Sequence, residues 1–387
     1  RFISPYGVKT VQTPNAERLA GEGVTLDRLF CTAPQCSPSR ASLFTGRFPH
    51  QNGVMGLCKP GPQGWDLNDD EIHAARYFAD LGYDTGLIGI AHETKDKREQ
   101  LGYRFIHDER GAPRVGAAMT EFLDSREGDQ PFFLSIGTFE THRPFDHDGT
   151  PADDSLGVTV PPPLHDTPAT RADFAAMQGL TKRWDEGLGD ILDILDRRGL
   201  ADETLVLVTT DHGLAMPRAK CTLYDPGIGV LGLLRWPGRI PAGERREALL
   251  SNVDVLPTLL EAAGGEPGER IEGRSFLALL TGGDYTPNAR IFAEKTYHSR
   301  YDPTRAVRTD RFKYVHTFER QVGCEVPGDA MRGSSYPDNV DIGLTPFQRP
   351  VCELYDLEAD PLEMNDVAEE PEYAETRREL GAALLEW

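Results

Sequence analysis

Alternating blocks of hydrophobic and polar residues divide the chain into predicted strands and helices. Short apolar runs bounded by turn residues predict buried strands, and apolar residues repeating every three or four positions predict amphipathic helices. The predicted strands cover residues 24–30, 82–89, 131–137, 204–210, 290–294, 305–309, 312–318 and 353–357. The predicted helices cover residues 13–21, 36–46, 71–82, 171–198, 252–260 and 372–387. The Asp, Pro and Gly residues of the segment 147–168 predict a long irregular loop.

The 387 residues exceed what one ordinary hydrophobic core holds, and they suit a large α/β domain followed by a smaller one. We predict a first domain over residues 1–295, with the strand at 290–294 as the last strand of its sheet. The hairpin and the closing helix predict a second, α+β domain over residues 296–387, built from an antiparallel sheet and one helix.

Composition narrows the possible partners. The formal net charge of −21 argues against a nucleic-acid partner, which needs a basic surface. No apolar run reaches the length of a membrane span. We expect a cytoplasmic location, since the sequence as given shows no signal peptide, although it also has no initiator methionine. The cysteines are scattered, without a CxxC pair or a zinc-type spacing: Cys31, Cys36, Cys58, Cys221, Cys324 and Cys352.

The stretch from Cys36 to Gly46 combines a nucleophile with a predicted helix start. Pro38 suits the first turn of a helix, and Gly46 suits its end. The free N–H groups of a helix N-terminus favour a bound anion, and Arg40 lies one turn on from Cys36 on the same face. Taken alone, Cys36 is also compatible with a small buried core residue.

The residues Cys36-Ser37-Pro38-Ser39-Arg40, followed by Thr45-Gly46, resemble the signature of the type I sulfatases in the alkaline phosphatase superfamily. The resemblance covers nearly the whole chain and implies a large, mostly parallel sheet flanked by helices. It implies that a formylglycine-generating enzyme oxidises Cys36 to formylglycine, whose hydrate attacks sulfur. It also implies that Arg40 holds charge on the sulfuryl oxygens.

Further matches to this family follow predicted strands, where the catalytic groups of open parallel sheets collect. His92 matches the histidine of a Lys-x-His pair, but Ile90 stands at the lysine position and carries no charge. The resemblance implies that His92 accepts a proton as sulfate leaves. It implies that His142 protonates the leaving oxygen and that Lys220 is the second sulfate-binding cation.

Asp211-His212-Gly213 ends the predicted strand at 204–210 and matches the metal motif of the family. Taken alone, an aspartate beside a glycine at a strand end is also compatible with a plain turn. We predict one divalent cation held by Asp211, His212 and the oxidised Cys36. A carboxylate suits Ca²⁺, which we expect first, or Mg²⁺, whereas a histidine ligand favours Mn²⁺. Alternatively, His212 does not bind the cation directly and contacts its ligands instead.

Three more basic residues are candidates for substrate contacts. Arg143 follows the matched His142, and it is equally compatible with a solvated surface charge. His298 and Arg305 lie where we expect the second domain to meet the active face. We expect a small anionic substrate, such as a sulfated sugar, in a local positive pocket of an acidic surface.

One part of the family pattern is missing from the sequence as given. In these sulfatases a hydrophobic strand ending in two metal-binding aspartates comes before the point where this chain starts. We therefore expect either a truncated sequence or a protein that lacks half of the metal site.

Residues 51–53 and 211–224 resemble the heparan N-sulfatase (sulfamidase) branch, which implies hydrolysis of a sulfate ester or sulfamate on a sugar. Two alternatives stay open. One is a phosphonate monoester hydrolase or phosphodiesterase of the same superfamily. The other is a non-catalytic relative that binds sulfated glycans, suggested by Ile90 and the missing strand.

Overall fold

The computed structural model describes residues 1–59, 64–95, 97–319, 323–344 and 349–387. The α-helices are α1 (Pro14–Gly21), α2 (Cys36–Thr45), α3 (Pro49–Asn52), α4 (Ala74–Asp80), α5 (Val115–Ser125), α6 (Pro168–Arg197), α7 (Asp225–Ile228), α8 (Val255–Ala262), α9 (Leu277–Thr281), α10 (Gly328–Met331), α11 (Tyr336–Asp341) and α12 (Ala374–Glu386). The strands are β1 (Val24–Leu26), β2 (Leu29–Phe30), β3 (Asp84–Gly89), β4 (Phe105–His107), β5 (Phe132–Gly137), β6 (Val206–Thr209), β7 (Gly232–Arg235), β8 (Glu244–Arg246), β9 (Leu250–Ser251), β10 (Ile291–Tyr297), β11 (Tyr301–Arg308), β12 (Phe312–Thr317) and β13 (Cys352–Asp356).

The strands β1 to β9 form three hydrogen-bonded groups. The mixed group has the order β6-β7-β1-β8, in which β7 runs antiparallel to both neighbours and β1 runs parallel to β8. The parallel group has the order β4-β3-β5, and β2 pairs in parallel with β9. Helices pack against these groups, so the predicted α/β fold class is confirmed, with β7 as the antiparallel member.

A gap separates the parallel group from the mixed group. In the described part of the chain, β5 pairs with β3 alone and β6 pairs with β7 alone, so each strand has an open edge. Both strands line one cavity of about 1890 Å³, and all their side chains are only half-buried. Their continuous apolar sequences are typical of interior strands covered on both faces. The surroundings of the gap therefore resemble those of an interior strand in a sheet.

The long helix α6 connects the two groups across this gap. Ile194 and Leu195 pack into a cluster with residues of α5, whereas Leu188 and Leu192 pack with Leu233 of β7. The prediction of a long helix with core residues at helical spacing is thereby confirmed. Within the described ranges, no helix combines the length and apolar character needed to cross a lipid bilayer.

The C-terminal part contains an antiparallel sheet of order β10-β11-β12-β13, against which α12 packs. The prediction that residues 290–294 form the last strand of the main sheet is wrong, because β10 pairs with β11, from Ile291 opposite Arg308 to Tyr297 opposite Tyr301. A short turn makes this local pairing available, and the apolar pattern of one strand does not specify its partner. Since β10 crosses the predicted domain boundary at 295/296, we propose that the boundary between the two domains lies N-terminal to β10.

Candidate active site

Cys36 is the first residue of α2. Gln35 precedes the helix in extended conformation, and Gly46 ends it with a left-handed φ of 66°. The predicted helix bounds are therefore confirmed. The Cys36 side chain is buried in the fold, yet it lines the large cavity beside β5 and β6.

Two serines flanking Cys36 and Arg40 hold the start of α2 against neighbouring loops. The Oγ atom of Ser37 accepts a hydrogen bond from the Cys58 amide at 2.9 Å. Ser39 donates its hydroxyl to the carbonyl of Asp211. The side-chain amide of Asn252 donates to both the carbonyl and Oγ of Ser39, each at 3.0 Å. These bonds join the helix start to the end of β6 and explain the polar residues at these helix positions.

Three potential metal ligands converge on this helix end. The sulfur of Cys36, a carboxylate oxygen of Asp211 and a ring nitrogen of His212 lie within 4.8 Å of one another. The Nδ1 atom of His212 lies 2.8 Å from the Gly213 carbonyl, and Nε2 lies 3.4 Å from the Cys36 sulfur. A proton on Nδ1 would therefore leave Nε2 as the ligand atom. This mixed oxygen and nitrogen donor set, with oxygen replacing sulfur after oxidation of Cys36, fits a divalent cation.

Gly213 allows the backbone behind these ligands to pass close to α7, because an added Cβ would lie 1.8 Å from the Pro226 carbonyl oxygen. We expect Gly213→Ala to displace Asp211 and His212, lowering activity and costing about 1–3 kcal/mol in the free energy of unfolding, as overpacking does. Urea denaturation and rate measurements test this. Gly21→Ala, where no atom lies within 4 Å of the added Cβ, is the control. Equal free energies of unfolding and equal rates for Gly213→Ala and Gly21→Ala would contradict the expectation.

Lys220 and His142 place polar groups beside Cys36, and Asp329 contacts both of them. The Lys220 ammonium donates to Oδ2 of Asp329 at 2.7 Å, and Nε2 of His142 lies 3.8 Å from the same oxygen. Burial alone would raise the pKa of the Cys36 thiol. The charges of Lys220 and His212, with hydrogen bonds from His142 and His212, instead bring that pKa well below its usual value. The position of the thiol therefore favours negative charge, as an anionic substrate requires.

Arg40 is oriented by acceptors at the end of β3. Its Nε donates to Glu93 at 3.1 Å, and its Nη2 donates to the Ile90 carbonyl at 2.6 Å. The second oxygen of Glu93 lies 3.4 Å from Nε2 of His73. Ile90 thus lacks the lysine charge of the family, but its backbone oxygen helps to hold Arg40, which lines the cavity.

We expect the buried carboxylate of Glu93 to make stability depend on acid pH. Burial alone would raise the pKa of Glu93, but Arg40 and His73 lower it from 4.5 to about 2. A carboxyl with a lowered pKa stabilises the fold fully above its unfolded-state value of 4.5, and this contribution is lost as the pH falls towards about 2.

Glu93→Gln should therefore lower the free energy of unfolding by up to about 3 kcal/mol at neutral pH, and less as the pH is lowered below that unfolded-state value. Urea denaturation at a series of pH values measures both effects. A constant difference between wild type and Glu93→Gln across the acid range would contradict the prediction.

His92 lines the same cavity, with its Nε2 atom 3.1 Å from the Cys58 carbonyl oxygen. The structure thus brings seven of the sequence-predicted site residues to one cavity. They are Cys36, Arg40, His92, His142, Asp211, His212 and Lys220.

Arg143, a predicted substrate contact, is held in an internal ion pair. Its guanidinium donates to both carboxylate oxygens of Asp173, at 3.1 and 2.8 Å, and to the Ala215 carbonyl at 2.7 Å. The side chain is buried and lies over the ring of Phe145. Arg143 therefore forms a buried ion pair and is not a solvated surface charge.

Arg305 and His298, the other two predicted substrate contacts, also have internal partners. Arg305 pairs with Glu294 at 3.0 Å and donates to the Lys295 carbonyl at 2.7 Å. His298 is buried, with Nδ1 at 3.3 Å from Glu325. As far as the described residues define the cavity at Cys36, neither side chain lines it. Internal carboxylates of the C-terminal part therefore contact both residues.

His298 belongs instead to a second cluster of potential ligands. Donor atoms of Cys221, His298 and Glu325 lie within 4.8 Å of one another, and all three residues are buried. The ammonium of Lys295 lies 2.7 Å from Glu325 and also pairs with Asp302 at 2.7 Å. The Lys295 ammonium already supplies the positive charge that a metal ion would bring to this cluster. We therefore interpret the cluster as a structural ion-pair network.

Sequence reasoning missed three polar residues of the site. Glu93, directly after His92, was detectable as a carboxylate at a strand end beside predicted cations. Asn252 begins the predicted helix over residues 252–260, but its contact with Ser39 is not encoded locally. Asp329 carried no motif, because it arrives from the C-terminal part of the chain.

Comparison with known proteins identifies the class. The sulfatase family model matches residues 2–265, and a model for the C-terminal region of N-sulphoglucosamine sulphohydrolase matches residues 213–326. An ulvan-active sulfatase of Formosa agariphila is 29% identical over 399 residues, covering 99% of this chain and 76% of the relative. Human N-sulphoglucosamine sulphohydrolase is 28% identical over 436 residues, covering 99% of this chain and 86% of the relative.

A solved structure in complex with its substrate, D-glucosamine-2-N,6-O-disulfate, shares the fold. Its TM-score is 0.76 at 20% identity, and the match covers 99% of this chain and 94% of that structure. The match shows that this chain has the fold of that protein. The chain belongs to the sulfatase family, and its enzyme class is that of the sulfuric ester hydrolases.

Proposed function

We propose that the protein hydrolyses a sulfate ester or sulfamate on a sugar. The observation that supports this most directly is the convergence of Cys36, Lys220 and His142 at a helix N-terminus beside Asp211 and His212. The sugar is inferred from relatives named for ulvan and for N-sulphoglucosamine. A site built from cations and free N–H groups suits an anionic group in an otherwise acidic protein.

The family uses formylglycine and a divalent metal, and we propose the particular residues and ion for this chain. Asp211, His212 and the oxidised Cys36 would hold the cation, with Ca²⁺ as first candidate and Mg²⁺ or Mn²⁺ as alternatives. The hydrated aldehyde would supply hydroxyl oxygens, and a bound cation would lower the pKa of such a hydroxyl towards neutral pH. A formylglycine-generating enzyme would carry out the oxidation of Cys36.

The other side chains bind charge or move protons. Lys220 and Arg40 would hold the developing negative charge on the sulfuryl oxygens, an electrostatic effect that is usually the largest single contribution. His142 would give a proton to the departing oxygen or nitrogen as its bond to sulfur breaks. His92 would accept a proton when sulfate leaves. Water replaces the leaving group overall, so the products are inorganic sulfate and the free sugar hydroxyl or amine.

The gap between β5 and β6 would accommodate the aspartate-tipped strand of the family. Both flanking strands are apolar, have open edges and border the cavity that Asp211 also lines. A strand placed there would bring two further carboxylates towards Asp211 and His212, which a hard cation requires for full coordination.

Two measurements test the proposed function. Mass spectrometry of the peptide that contains Cys36 should show the thiol replaced by an aldehyde, after co-expression with a formylglycine-generating enzyme. The same preparation should release sulfate from an aryl sulfate faster than it cleaves an aryl phosphodiester. A preference for the phosphodiester would favour the phosphonate monoester hydrolase alternative. Binding of sulfated glycan without turnover or bound metal would favour the non-catalytic alternative.

A further inference from the structure

Asp329 lies on a segment of the C-terminal part that reaches the active site. The described residues 323–344 lie between β12 and β13 in sequence. On one side of Asp329, Glu325 pairs with Lys295 at 2.7 Å. On the other side, the Ser335 amide donates to Asp173 at 3.0 Å, and Asn339 accepts from the His165 amide at 2.8 Å. Anchors on both sides therefore hold Asp329 in place.

The carboxylate of Asp329 lies beside two groups that act on the substrate in the proposed function. Its Oδ2 atom accepts from the Lys220 ammonium at 2.7 Å and lies 3.8 Å from Nε2 of His142. Burial alone would raise the pKa of Asp329, but Lys220 and His142 hold it below its ordinary value. Asp329 therefore carries its negative charge at neutral pH.

We propose that Asp329 is a positioning residue for Lys220 and that it selects against leaving groups with a negative charge near the scissile bond. This inference rests on the proposed function. His142 is the proton donor to the leaving oxygen, and its Nε2 atom lies 3.8 Å from Oδ2 of Asp329, so a leaving group that contacts His142 lies near this carboxylate. A hydroxyl or ammonium group there can donate to the carboxylate, whereas an anionic group meets a like charge.

The expected discrimination is large enough to measure. At an effective permittivity of about 20, the repulsion between two like charges about 5 Å apart weakens a binding equilibrium by well over tenfold. Lys220 offsets part of this repulsion, because its ammonium is bonded to the same carboxylate. We therefore expect about a tenfold effect on the ratio of kcat/KM values for matched substrates.

The test compares three aryl sulfates that differ at the meta position: 3-carboxyphenyl, 3-carbamoylphenyl and 3-(aminomethyl)phenyl sulfate. Wild-type enzyme should prefer the aminomethyl substrate and reject the carboxyl substrate. Asp329→Asn should raise the kcat/KM ratio of the carboxyl to the carbamoyl substrate about tenfold, and Asp329→Glu should keep the wild-type ratio. Asp338 lies on the same segment but accepts a hydrogen bond from Thr167, so Asp338→Asn should also keep the wild-type ratio.

An unchanged ratio in a folded Asp329→Asn variant would overturn the inference. So would a wild-type enzyme that hydrolyses the three sulfates equally, which is a result that needs no variant. If the wild type with oxidised Cys36 hydrolyses no sulfate at all, the proposed function fails. The two failures are therefore distinguishable.

Discussion

Replacing Cys36 with alanine should lower kcat for sulfate ester hydrolysis about 10⁶-fold, the loss typical of removing a catalytic nucleophile. The structure gives the reason, since this side chain stands at the helix N-terminus where the charges of Lys220 and His212 act on it. The fold should remain intact, because alanine suits the first turn of a helix and removes one sulfur atom. Rates with an aryl sulfate, together with a thermal unfolding curve, measure both effects.

Two further variants sharpen this experiment. Cys36→Ser keeps a hydroxyl but provides no second hydroxyl for release of sulfate, so we expect about one equivalent of leaving group per chain and then no turnover. Cys352→Ala, in β13, is the matched control and should keep full activity. Substantial multiple turnover by Cys36→Ala would exclude this side chain as the nucleophile.

Replacing Lys220 with methionine should lower kcat/KM about 10²–10³-fold, as expected for losing one group that stabilises transition-state charge. It should also destabilise the protein, because Asp329 loses the ammonium that donates to it at 2.7 Å. A buried charge that loses its partner costs about 3–5 kcal/mol, and the part-buried Asp329 should cost less than that.

The double variant Lys220→Met/Asp329→Asn separates these two effects. It should regain most of the lost stability, because no unpaired carboxylate remains, but it should not regain activity. Lys182→Met, a half-exposed lysine of α6, serves as control and should alter neither quantity. Recovery of activity in the double variant would show that Lys220 acts through Asp329 rather than on the substrate.

Local sequence predicted the parts of the structure that depend on near neighbours. The start of α2 at Cys36 and its end at Gly46 follow from proline and glycine preferences within ten residues. The strands that carry His142 and Asp211 near their ends were apparent as apolar runs, because interior strands are apolar on both faces. Motifs at strand ends were therefore the most predictable component of the site.

Contacts between distant segments were not predictable in this way. The position of Arg143 after His142 predicts a substrate contact, but Asp173, thirty residues further on, forms a buried pair with it. Asp329 reaches Lys220 across more than a hundred residues, and no local pattern marks it. Charged residues at a predicted active face remain ambiguous until the positions of their partners are known.

The open edges of β5 and β6 have a consequence for motion. Their outward amide groups face the cavity, so solvent, rather than another backbone, must satisfy them. We expect amide hydrogen exchange in these two strands to be faster than in β3 and β7, despite their position in the interior of the molecule. The backbone leading to His142 and Asp211 would then open to solvent more often than the strands beside it.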